Sequence, residues 1–465
     1  MTTPTPSRVG GNEQSASEDP SATPQPQSLV IVSASTGQYD SRGQRYARSA
    51  AERGHTVTIL ARRSAGLPRD EQDPSGYRTV RLAILAIDGV PLGRRLRKRF
   101  PVLGRFGRSG ATLAPAEIVG TGSGGLRAAR RRTRVRRSID WLVARLRIPL
   151  TIRAQTSAAL ATAPPADVYL AMGLWALPAA LALGRRHRAR VIYDVAEIHM
   201  EARTLARVRG PIRPLIARAE RRWARRADAL ITVNDALADL LASRLGAGRP
   251  EILLNTPPRY PLRAETGHRF HAAAALPVDA RVVLYHGGLF EERGVEQLME
   301  AIGDVRNAVL VLMGYESLVP TIQLRIAEQA LDRRAVLLPP VPPIELPDWV
   351  ASADVVAVPI QPTTLNHRYA TPNKLWEAMS AGVPILASDL PGMAGIIRET
   401  NGGVLVDPTD PAAIARGLRE LLGQSAEARQ AMHDRLVAAA RDRYCWEVEE
   451  QTYLGLLSRL TGRPW

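Results

Sequence analysis

Residues 281–302 read RVVLYHGGLFEERGVEQLMEAI and contain the pattern that decides the fold. Residues 281–288 form an apolar, β-branched run that ends in Gly287 and Gly288, which is typical of a strand followed by a tight loop. Apolar residues then recur at the spacing of an amphipathic helix, at Val295, Leu298, Met299 and Ile302. The segment therefore predicts a buried strand, a glycine loop and a helix.

The same alternation of apolar runs and helical patterns extends in both directions from this segment. Ten further runs lie at 29–33, 56–62, 167–173, 190–195, 229–234, 308–314, 335–341, 354–360, 383–389 and 402–408. They are nearly continuous in apolar residues, as expected for parallel strands that are buried on both faces. The pattern predicts an α/β protein with two doubly wound, Rossmann-like domains that face each other across a cleft. Ligands of such folds bind at the carboxyl ends of the strands.

Shifts in composition along the chain suggest where its domains begin and end. Ser, Thr, Pro, Gln and Gly dominate the first residues, and a Pro/Arg-rich stretch separates the two series of strands. We therefore expect a disordered tail at 1–28, an N-terminal domain at 29–262, a C-terminal domain at 263–440, and a C-terminal helix at 441–465 that crosses back onto the first domain.

Composition narrows the class of protein. The chain has 465 residues and a formal net charge of +17. The single cysteine, Cys445, excludes an internal disulfide and a zinc site built on several thiolates, and it fits a reducing, cytoplasmic setting. No clustered carboxylates or histidines have the spacing of metal ligands, so we expect no metal. The apolar run at 168–183 is too short to span a membrane and predicts a strand followed by a helix.

Most of the positive charge is local. Residues 89–139, an insertion in the first domain, carry +13, and the rest of the chain carries only +4. Three interpretations are open: a nucleic-acid site, an anionic membrane surface, or a solvated charge run. Nucleic acid is the least favoured, because only Phe100 and Phe106 are available for stacking. We favour the membrane, because apolar residues are interleaved with the arginines.

Residues 368–392, RYATPNKLWEAMSAGVPILASDLPG, form a second informative stretch. They predict a helix with Thr371 as its N-cap and Gly382 as its stop signal. Lys374 and Glu377 are neighbours in the first turns of this helix, where free N–H groups favour an anion. The alternative is an ordinary surface pair.

The loop after the predicted strand at 281–288 also has two possible interpretations, a ligand-binding loop or an ordinary turn. Gly287 and Gly288 permit a close approach of the backbone to a ligand, and Arg293 at the start of the next helix can bind a pyrophosphate in a bidentate way. The alternative is a tight strand–helix turn with a solvated arginine.

These segments resemble the family-4 retaining glycosyltransferases, whose fold is of the GT-B type. SRGQRYARSAAERGHTVTILAR (41–62) resembles the family's first helix and second strand, and VIYDVAEIH (191–199) is similar to its Asp-x-His-Asp/Glu turn. ILLNTPP (252–258) is similar to its Val-Pro-Asn segment. YHGGLFEERG is similar to the family's Gly-Arg-Leu…Lys-Gly donor loop. PNKLWEAMSAGVPILASDLPG is similar to the family's Glu-Ala-Met…Gly-x-Pro signature. The resemblance covers roughly residues 29–425.

The resemblance implies roles for several residues. Glu377 would bind the nucleotide ribose, Arg293 the donor diphosphate, and Lys374 a second phosphate position. The first domain would receive the acceptor and the second would hold the nucleotide sugar. The expected donor-binding set is Gly287, Gly288, Arg293, Thr371, Asn373, Lys374 and Glu377, and the expected catalytic set is Asp194, Glu197, Arg293 and Lys374.

The sequence departs from the family's pattern at three positions. Gly288 stands where the family has an arginine, and Tyr369 replaces the first glutamate of its paired-glutamate signature. Ala196 replaces a histidine that contacts the transferred sugar in the family, between Asp194 and Glu197. Both acids are expected at a strand's carboxyl end, facing the cleft. The alternative is that they cap a helix after the strand.

These observations predict a retaining glycosyltransferase of the hexosyltransferase type that uses a nucleotide sugar and no other cofactor. The expected acceptor is a sugar, or a lipid-linked or polysaccharide acceptor of the cell envelope. The expected location is cytoplasmic, on the inner face of the membrane through residues 89–139. A sugar-nucleotide epimerase of the same fold and a non-catalytic membrane-associated partner remain as alternatives.

Overall fold

The computed structural model describes residues 25–83 and 149–465, except residues 39, 203–204, 206–211, 262–267, 316–317, 329–330 and 332–333. Two sheets organise this part of the chain. The first contains β1 (Ser28–Ser33), β2 (Thr56–Arg62), β3 (Asp70–Gln72), β4 (Arg78–Leu82), β5 (Val168–Met172), β6 (Arg190–Asp194), β7 (Ala229–Thr232) and β8 (Glu251–Ile252). The second contains β9 (Arg281–Gly288), β10 (Ala308–Tyr315), β11 (Ala335–Leu338), β12 (Val355–Val358), β13 (Ile385–Ser388) and β14 (Gly403–Val406).

Both sheets are doubly wound. Their strand orders are β3-β4-β2-β1-β5-β6-β7-β8 and β11-β10-β9-β12-β13-β14. Apart from β3, which runs antiparallel to β4, the described pairings are parallel. Each sheet reverses direction beside its first strand, between β1 and β5 and between β9 and β12, and such a reversal opens a crevice for a ligand. The predicted fold class is confirmed.

The eleven predicted strands are present, and the structure adds β3, β4 and β8, which the apolar pattern did not indicate. Strand β4 was missed because it contains Arg78 and Arg81. Arg81 is nevertheless buried: its guanidinium donates to the Pro68 and Thr36 carbonyls and forms an ion pair with Glu71. An arginine that satisfies its donors in this way can occupy a buried strand position.

Helices cover both faces of the two sheets. Those of the first domain are α1 (Ser41–Ala51), α2 (149–162), α3 (Leu177–His187), α4 (Ile212–Ala224) and α5 (Asp235–Leu245). Those of the second are α6 (Arg269–Ala274), α7 (Val295–Ile302), α8 (Val319–Glu328), α9 (Leu346–Ala351), α10 (Leu365–Arg368), α11 (Asn373–Ser380), α12 (Ala394–Thr400), α13 (Pro411–Leu422) and α14 (Ala426–Asp442). Helix α15 (Trp446–Thr461) ends the chain's regular structure.

Helix α15 packs against the first sheet and helix α1. Its Tyr453 ring stacks on Tyr46 with the ring centroids 4.7 Å apart, and the Trp446 indole N–H donates to the Ser49 hydroxyl at 2.8 Å. Glu449 accepts a hydrogen bond from the backbone N–H of Leu254, in the segment that leads to the second domain. The C-terminal helix thus joins the first domain's core to the connection between the domains.

Part of the expected N-terminal tail is ordered, which corrects its boundary. Ser28 begins β1, and Gln27 is buried, with its amide N–H groups donating to the Arg463 and Pro464 carbonyls. The rest of the tail, residues 1–24, and the basic segment 89–139 lie outside the described residues. Among the helices that are described, none combines the length and apolar character that crossing a membrane requires.

Candidate functional site

Two cavities open at the carboxyl ends of the strands, and Arg293 lines both. The first, which we call the Lys374 cavity, measures about 570 Å³ and lies within the second domain. Besides Arg293, its polar lining includes His286, Asn373, Lys374 and Glu377, with Gly287 and Gly288 beside them. The second, the Glu197 cavity, measures about 540 Å³ and lies between the domains. It is lined by Arg42, Ala196, Glu197, Glu201, Asn255, Glu292, Arg293, Thr364, Asn366, His367, Tyr369 and Thr371, among others.

Glycines at the ends of β9 and β10 form one wall of the Lys374 cavity. Gly287 has φ +103°, a conformation that favours glycine, and a Cβ atom on Gly314 would lie 1.9 Å from the Gly287 carbonyl oxygen. The two backbones therefore approach more closely than any larger residue permits. The result is an open backbone surface where the sequence predicted a ligand-binding loop.

Helix α11 begins at the opposite wall. The expected N-cap role of Thr371 is wrong: Pro372 occupies the N-cap position, and no side chain caps the helix. The Thr371 hydroxyl instead donates to the Gly392 carbonyl at 2.7 Å and accepts from the Asn234 amide at 2.9 Å. It therefore faces the first domain and lines the Glu197 cavity. The first N–H groups of α11 have no capping side chain, which suits them to an anion.

Lys374 and Glu377 project from the first turns of α11. The Lys374 ammonium lies 3.6 Å from the centroid of the Tyr285 ring, and Glu377 Oε2 lies 3.5 Å from His286 Nδ1. The His286 Nε2 atom is buried and has no hydrogen-bond partner among the described residues. Within the described part of the chain, no carboxylate forms an ion pair with Lys374 or Arg293. These polar groups converge on the cavity without satisfying one another.

Ionisation in the Lys374 cavity reflects this arrangement. Desolvation, with repulsion from Arg293, lowers the pKa of Lys374 to about 7 despite the attraction of Glu377. Desolvation raises the pKa of Glu377 to about 7, and Lys374 only partly offsets it. Desolvation and Lys374 lower the pKa of His286 to about 3, so this ring is neutral. Perturbed groups that meet in a cleft are typical of a binding or catalytic site.

A strained loop places Arg293 at the boundary of the two cavities. Glu292 has φ +69° although it is not a glycine, and its carbonyl accepts from the Gln361 N–H at 3.0 Å. Gly294 follows with φ +77°, and a Cβ atom there would lie 2.0 Å from the Pro359 carbonyl oxygen. The packing against Pro359 therefore fixes the loop between β9 and α7. In this position Arg293 lines both cavities.

Asp194 does not face the cleft, which corrects the sequence-based expectation. The residue is 1% exposed, and the Arg42 guanidinium donates to its two carboxylate oxygens at 2.7 and 3.4 Å. The Tyr46 hydroxyl donates to the same carboxylate at 2.9 Å. Burial acts against the charge of Arg42, but Asp194 outweighs it and raises the Arg42 pKa. Asp194 therefore fixes Arg42 at the floor of the Glu197 cavity and does not line it.

Glu197 does line the cavity, and His199 lies beside it. The His199 Nε2 atom accepts the backbone N–H of Leu174 at 3.0 Å, so the proton of this ring lies on Nδ1. Nδ1 is 3.6 Å from Glu197 Oε1. The small Ala196 side chain lies beside Glu197 in the lining, where the family pattern would place a histidine.

Asparagine side chains join the domains around the Glu197 cavity, and the sequence did not indicate them. Asn366 pairs with the Ile198 backbone: its Oδ1 accepts the N–H at 2.7 Å and its Nδ2 donates to the carbonyl at 3.2 Å. Asn234 donates to the Tyr369 carbonyl at 2.8 Å, and Asn255 donates to Asn373 Oδ1 at 2.9 Å. Tyr369, which replaces a family glutamate, packs against the first domain's core.

The structure therefore separates the expected site residues into four groups. Gly287, Gly288, Asn373, Lys374 and Glu377 line the Lys374 cavity, Glu197 and Thr371 line the Glu197 cavity, and Arg293 lines both. Asp194 is a positioning residue. Tyr285 and His286 were missed, although a histidine at the end of an apolar strand was a usable signal. In the portion of the chain that is described, no three His, Cys, Asp or Glu side chains group as metal ligands.

Both domains match family models. Residues 111–258 match the model described as "Glycosyl transferase 4-like domain", and residues 280–424 match "Glycosyl transferases group 1". The first match begins within the basic segment 89–139. The two matches identify the domains as glycosyltransferase domains.

Curated relatives fall into two kinds. A "D-inositol 3-phosphate glycosyltransferase" of Xylanimonas cellulosilytica is 32% identical over 213 residues, 45% of this chain and 49% of the relative. The chain thus spans about half the length of this relative. A "2-deoxystreptamine glucosyltransferase" of Streptomyces kanamyceticus is 25% identical over 396 residues, 82% of this chain and 89% of the relative.

Solved structures share the architecture. Sucrose-phosphate synthase from Thermosynechococcus elongatus superposes with a TM-score of 0.65 at 19% identity, over 94% of this chain and 99% of the other. Anabaena HepE in complex with UDP-glucose gives 0.61 at 14% identity, over 93% and 100%. At these identities the likeness shows the fold, which is of the GT-B type.

Proposed function

We propose that this protein is a retaining glycosyltransferase of the hexosyltransferase type, which moves a sugar from a nucleoside diphosphate sugar to a hydroxyl group of an acceptor. The observation that carries the proposal is the Lys374 cavity. Two cations, Arg293 and Lys374, face one space together with the start of α11 and the glycine backbone of β9. This arrangement is suited to an anion with two phosphate groups.

The charged and amide groups of the Lys374 cavity each have a role in the proposal. Arg293 and Lys374 bind the diphosphate, and Glu377 accepts hydrogen bonds from the ribose hydroxyls. Asn373 and the backbone N–H groups at Gly287 and Gly288 complete the phosphate contacts. Because these groups are fixed before the reaction, they stabilise the charge that develops on the departing diphosphate.

The proposed step is a same-face displacement at the sugar's anomeric carbon. The bond between this carbon and the β-phosphate oxygen breaks, and a bond to the acceptor hydroxyl oxygen forms. The hydroxyl proton passes to the departing phosphate oxygen, so the products are the glycoside and the nucleoside diphosphate. No protein base is required for this proton transfer. Arg293 lies at the boundary of the cavities, where the bond would break.

The Glu197 cavity holds the transferred sugar and the acceptor in this scheme. It adjoins the Lys374 cavity through Arg293 and is lined by residues of both domains, so an acceptor bound there would meet the donor at their boundary. Glu197, which lies beside His199, contacts the acceptor or the sugar there. The matched family domains support the reaction class, and the UDP-glucose complex of HepE supports a nucleotide-sugar donor.

The finer predictions about the acceptor and the location rest on residues 89–139, where apolar residues are interleaved with a net charge of +13, and on the family resemblance. We propose that residues 89–139 bind an anionic membrane at its cytoplasmic face, where a lipid-linked or cell-envelope acceptor would be presented. Co-flotation with vesicles that contain anionic lipid, for the full chain and for a chain without residues 89–139, tests this proposal. Flotation that survives the deletion would contradict it.

A panel of nucleoside diphosphate sugars tests the reaction. We expect one nucleoside diphosphate to bind and raise the melting temperature of the protein. When an acceptor is present, the sugar nucleotide that contains this nucleoside diphosphate should be turned over, and the free nucleoside diphosphate should appear as a product. An isomerised donor formed without any acceptor would instead indicate an epimerase. The absence of both binding and turnover would indicate a non-catalytic protein.

Glu377→Ala tests the assignment of the ribose contact. We expect it to weaken binding of the nucleoside diphosphate by about 1–3 kcal/mol, because it removes charge-assisted hydrogen bonds. Binding of bare pyrophosphate, which lacks a ribose, should change little. Glu296→Gln is the matched control, since Glu296 forms an exposed ion pair with Arg325 on the helix surface. An equal loss for pyrophosphate and nucleotide would refute the ribose assignment.

A further inference from the structure

The lining of the Glu197 cavity carries information about the acceptor. Three glutamates, Glu197, Glu201 and Glu292, line it, against the arginines Arg42 and Arg293. Which charges an acceptor meets depends on how many of these five side chains are already neutralised. A side chain can be neutralised either by a partner on the protein or by the donor that binds in the proposed function.

Neither arginine is available to an acceptor. Arg42 is paired with Asp194 at 2.7 Å, and a further guanidinium nitrogen donates to the Leu253 carbonyl at 2.9 Å. Arg293 binds the donor diphosphate in the proposed function, on which this inference rests. The cationic side of the lining is therefore neutralised before the acceptor binds.

Two of the glutamates form no ion pair with an arginine or lysine among the described residues. Glu197 is 52% exposed, and its neighbour His199 lies with Nδ1 3.6 Å from the Glu197 carboxylate while its Nε2 accepts the Leu174 N–H. Glu292 is 42% exposed, and the His367 Nδ1 atom lies 3.8 Å from its carboxylate, beyond hydrogen-bond distance. Glu201 differs from them, because Arg213 lies 2.9 Å from its carboxylate.

We infer that the part of the acceptor bound in the Glu197 cavity is a polyhydroxylated amine, such as an aminocyclitol or an amino sugar, whose ammonium groups are bound by Glu197 and Glu292. One of its hydroxyl groups attacks the anomeric carbon, and its amines keep their protons throughout. A phosphorylated acceptor of the same size would place its negative charge against these two carboxylates, and like charges disfavour such a complex.

A series of three cyclitols that differ mainly in charge tests the inference. The series is 2-deoxystreptamine, which is a diamine, neutral myo-inositol, and inositol 3-phosphate. With the active nucleotide sugar, we expect kcat/KM for 2-deoxystreptamine to exceed that for myo-inositol by at least about tenfold, the effect of one well-placed charge pair. Inositol 3-phosphate should be the poorest of the three.

Charge-neutralising variants show whether the glutamates are responsible. Glu197→Gln and Glu292→Gln should each lower the ratio of kcat/KM for 2-deoxystreptamine to that for myo-inositol. Nucleotide affinity, measured by calorimetry, should be unaffected by Glu197→Gln, because this residue lies outside the Lys374 cavity. Glu291→Gln is the matched control, since Glu291 is exposed and lines neither cavity.

The outcomes separate this inference from the proposed function. Equal use of the three cyclitols, preference for inositol 3-phosphate, or turnover of none of them despite nucleotide binding would overturn the amine acceptor and leave the donor assignment intact. A ratio that Glu197→Gln and Glu292→Gln leave unchanged would also overturn it. The absence of nucleotide binding in the unmodified protein would refute the proposed function itself.

Discussion

Charged side chains at the ends of β6 and in the first turns of α11 have opposite arrangements. Asp194 is almost fully buried, and Arg42 and Tyr46 satisfy its carboxylate. Lys374 and Glu377 are half-buried and face a cavity, and the pKa values of both are moved to about 7. A buried charge with partners on the protein supports the fold, whereas a desolvated charge without such partners is poised for a ligand.

Removal of the Asp194 carboxylate should have the largest effect, and it should fall on stability. Asp194→Ala leaves the buried Arg42 charge unpaired and the Tyr46 hydroxyl without its acceptor. We expect a loss of about 3–5 kcal/mol in the free energy of unfolding, measured by urea denaturation. If Asp194→Ala lowers the free energy of unfolding by less than about 1 kcal/mol, which is the range of an exposed ion pair, the structural role assigned to Asp194 is wrong.

Two further variants calibrate this result. Asp389→Ala breaks an ion pair with Arg398 that has the same 2.7 Å separation but is exposed on the surface. Its cost should stay below about 1 kcal/mol. Tyr46→Phe removes one hydrogen bond to Asp194 and should cost about 1 kcal/mol, which remains measurable if Asp194→Ala does not fold.

Removal of Lys374 should have the reverse signature. Lys374→Ala should weaken binding of both the nucleoside diphosphate and pyrophosphate by about 1.5–3 kcal/mol, because a charge-assisted phosphate contact is lost. The free energy of unfolding without ligand should change by only about 1 kcal/mol, since a contact with the Tyr285 ring is lost while repulsion from Arg293 is relieved. A large loss of stability with unchanged phosphate affinity would mean that Lys374, like Asp194, supports the fold and does not bind the phosphate.

The pH dependence of nucleotide binding distinguishes the two cavity residues. Above about pH 7 free Lys374 is largely neutral, and a diphosphate favours its protonated form, so binding should take up a proton and weaken by up to about tenfold per pH unit. Below about pH 7 free Glu377 is largely protonated, and ribose hydroxyls favour its carboxylate, so binding should release a proton. Calorimetry in buffers of different ionisation enthalpy measures the number of protons taken up or released on nucleotide binding. This number should change sign near pH 7, and the proton uptake above pH 7 should be absent in Lys374→Ala.

Local patterns allowed the donor side to be predicted, and long-range contacts limited the rest. Strand β9, its glycine loop and the Lys374–Glu377 pair all lie within short stretches whose periodicity and turn residues are visible in the sequence. The partner of Asp194 is Arg42, 152 positions earlier in the chain, so no local pattern shows that this carboxylate is buried and paired. Thr371 illustrates the same limit, because contacts with Asn234 and Gly392 override its preference for an N-cap position.

Asn366 connects the two domains beside the Glu197 cavity, and its replacement should affect stability less than removal of the Asp194 carboxylate does. Its amide pairs with both backbone groups of Ile198, which follows Glu197. Asn366→Ala leaves the buried N–H of Ile198 unsatisfied. The free energy of unfolding should fall by about 1–3 kcal/mol if the domains stay together, and by less if they separate and water reaches this N–H. We therefore expect a small change in the free energy of unfolding, unchanged nucleotide affinity and a raised KM for the acceptor. Asn366→Asp, which retains the acceptor of the Ile198 N–H but not the donor, should recover part of the loss, and a reduced nucleotide affinity in either variant would mean that domain contact also supports the Lys374 cavity.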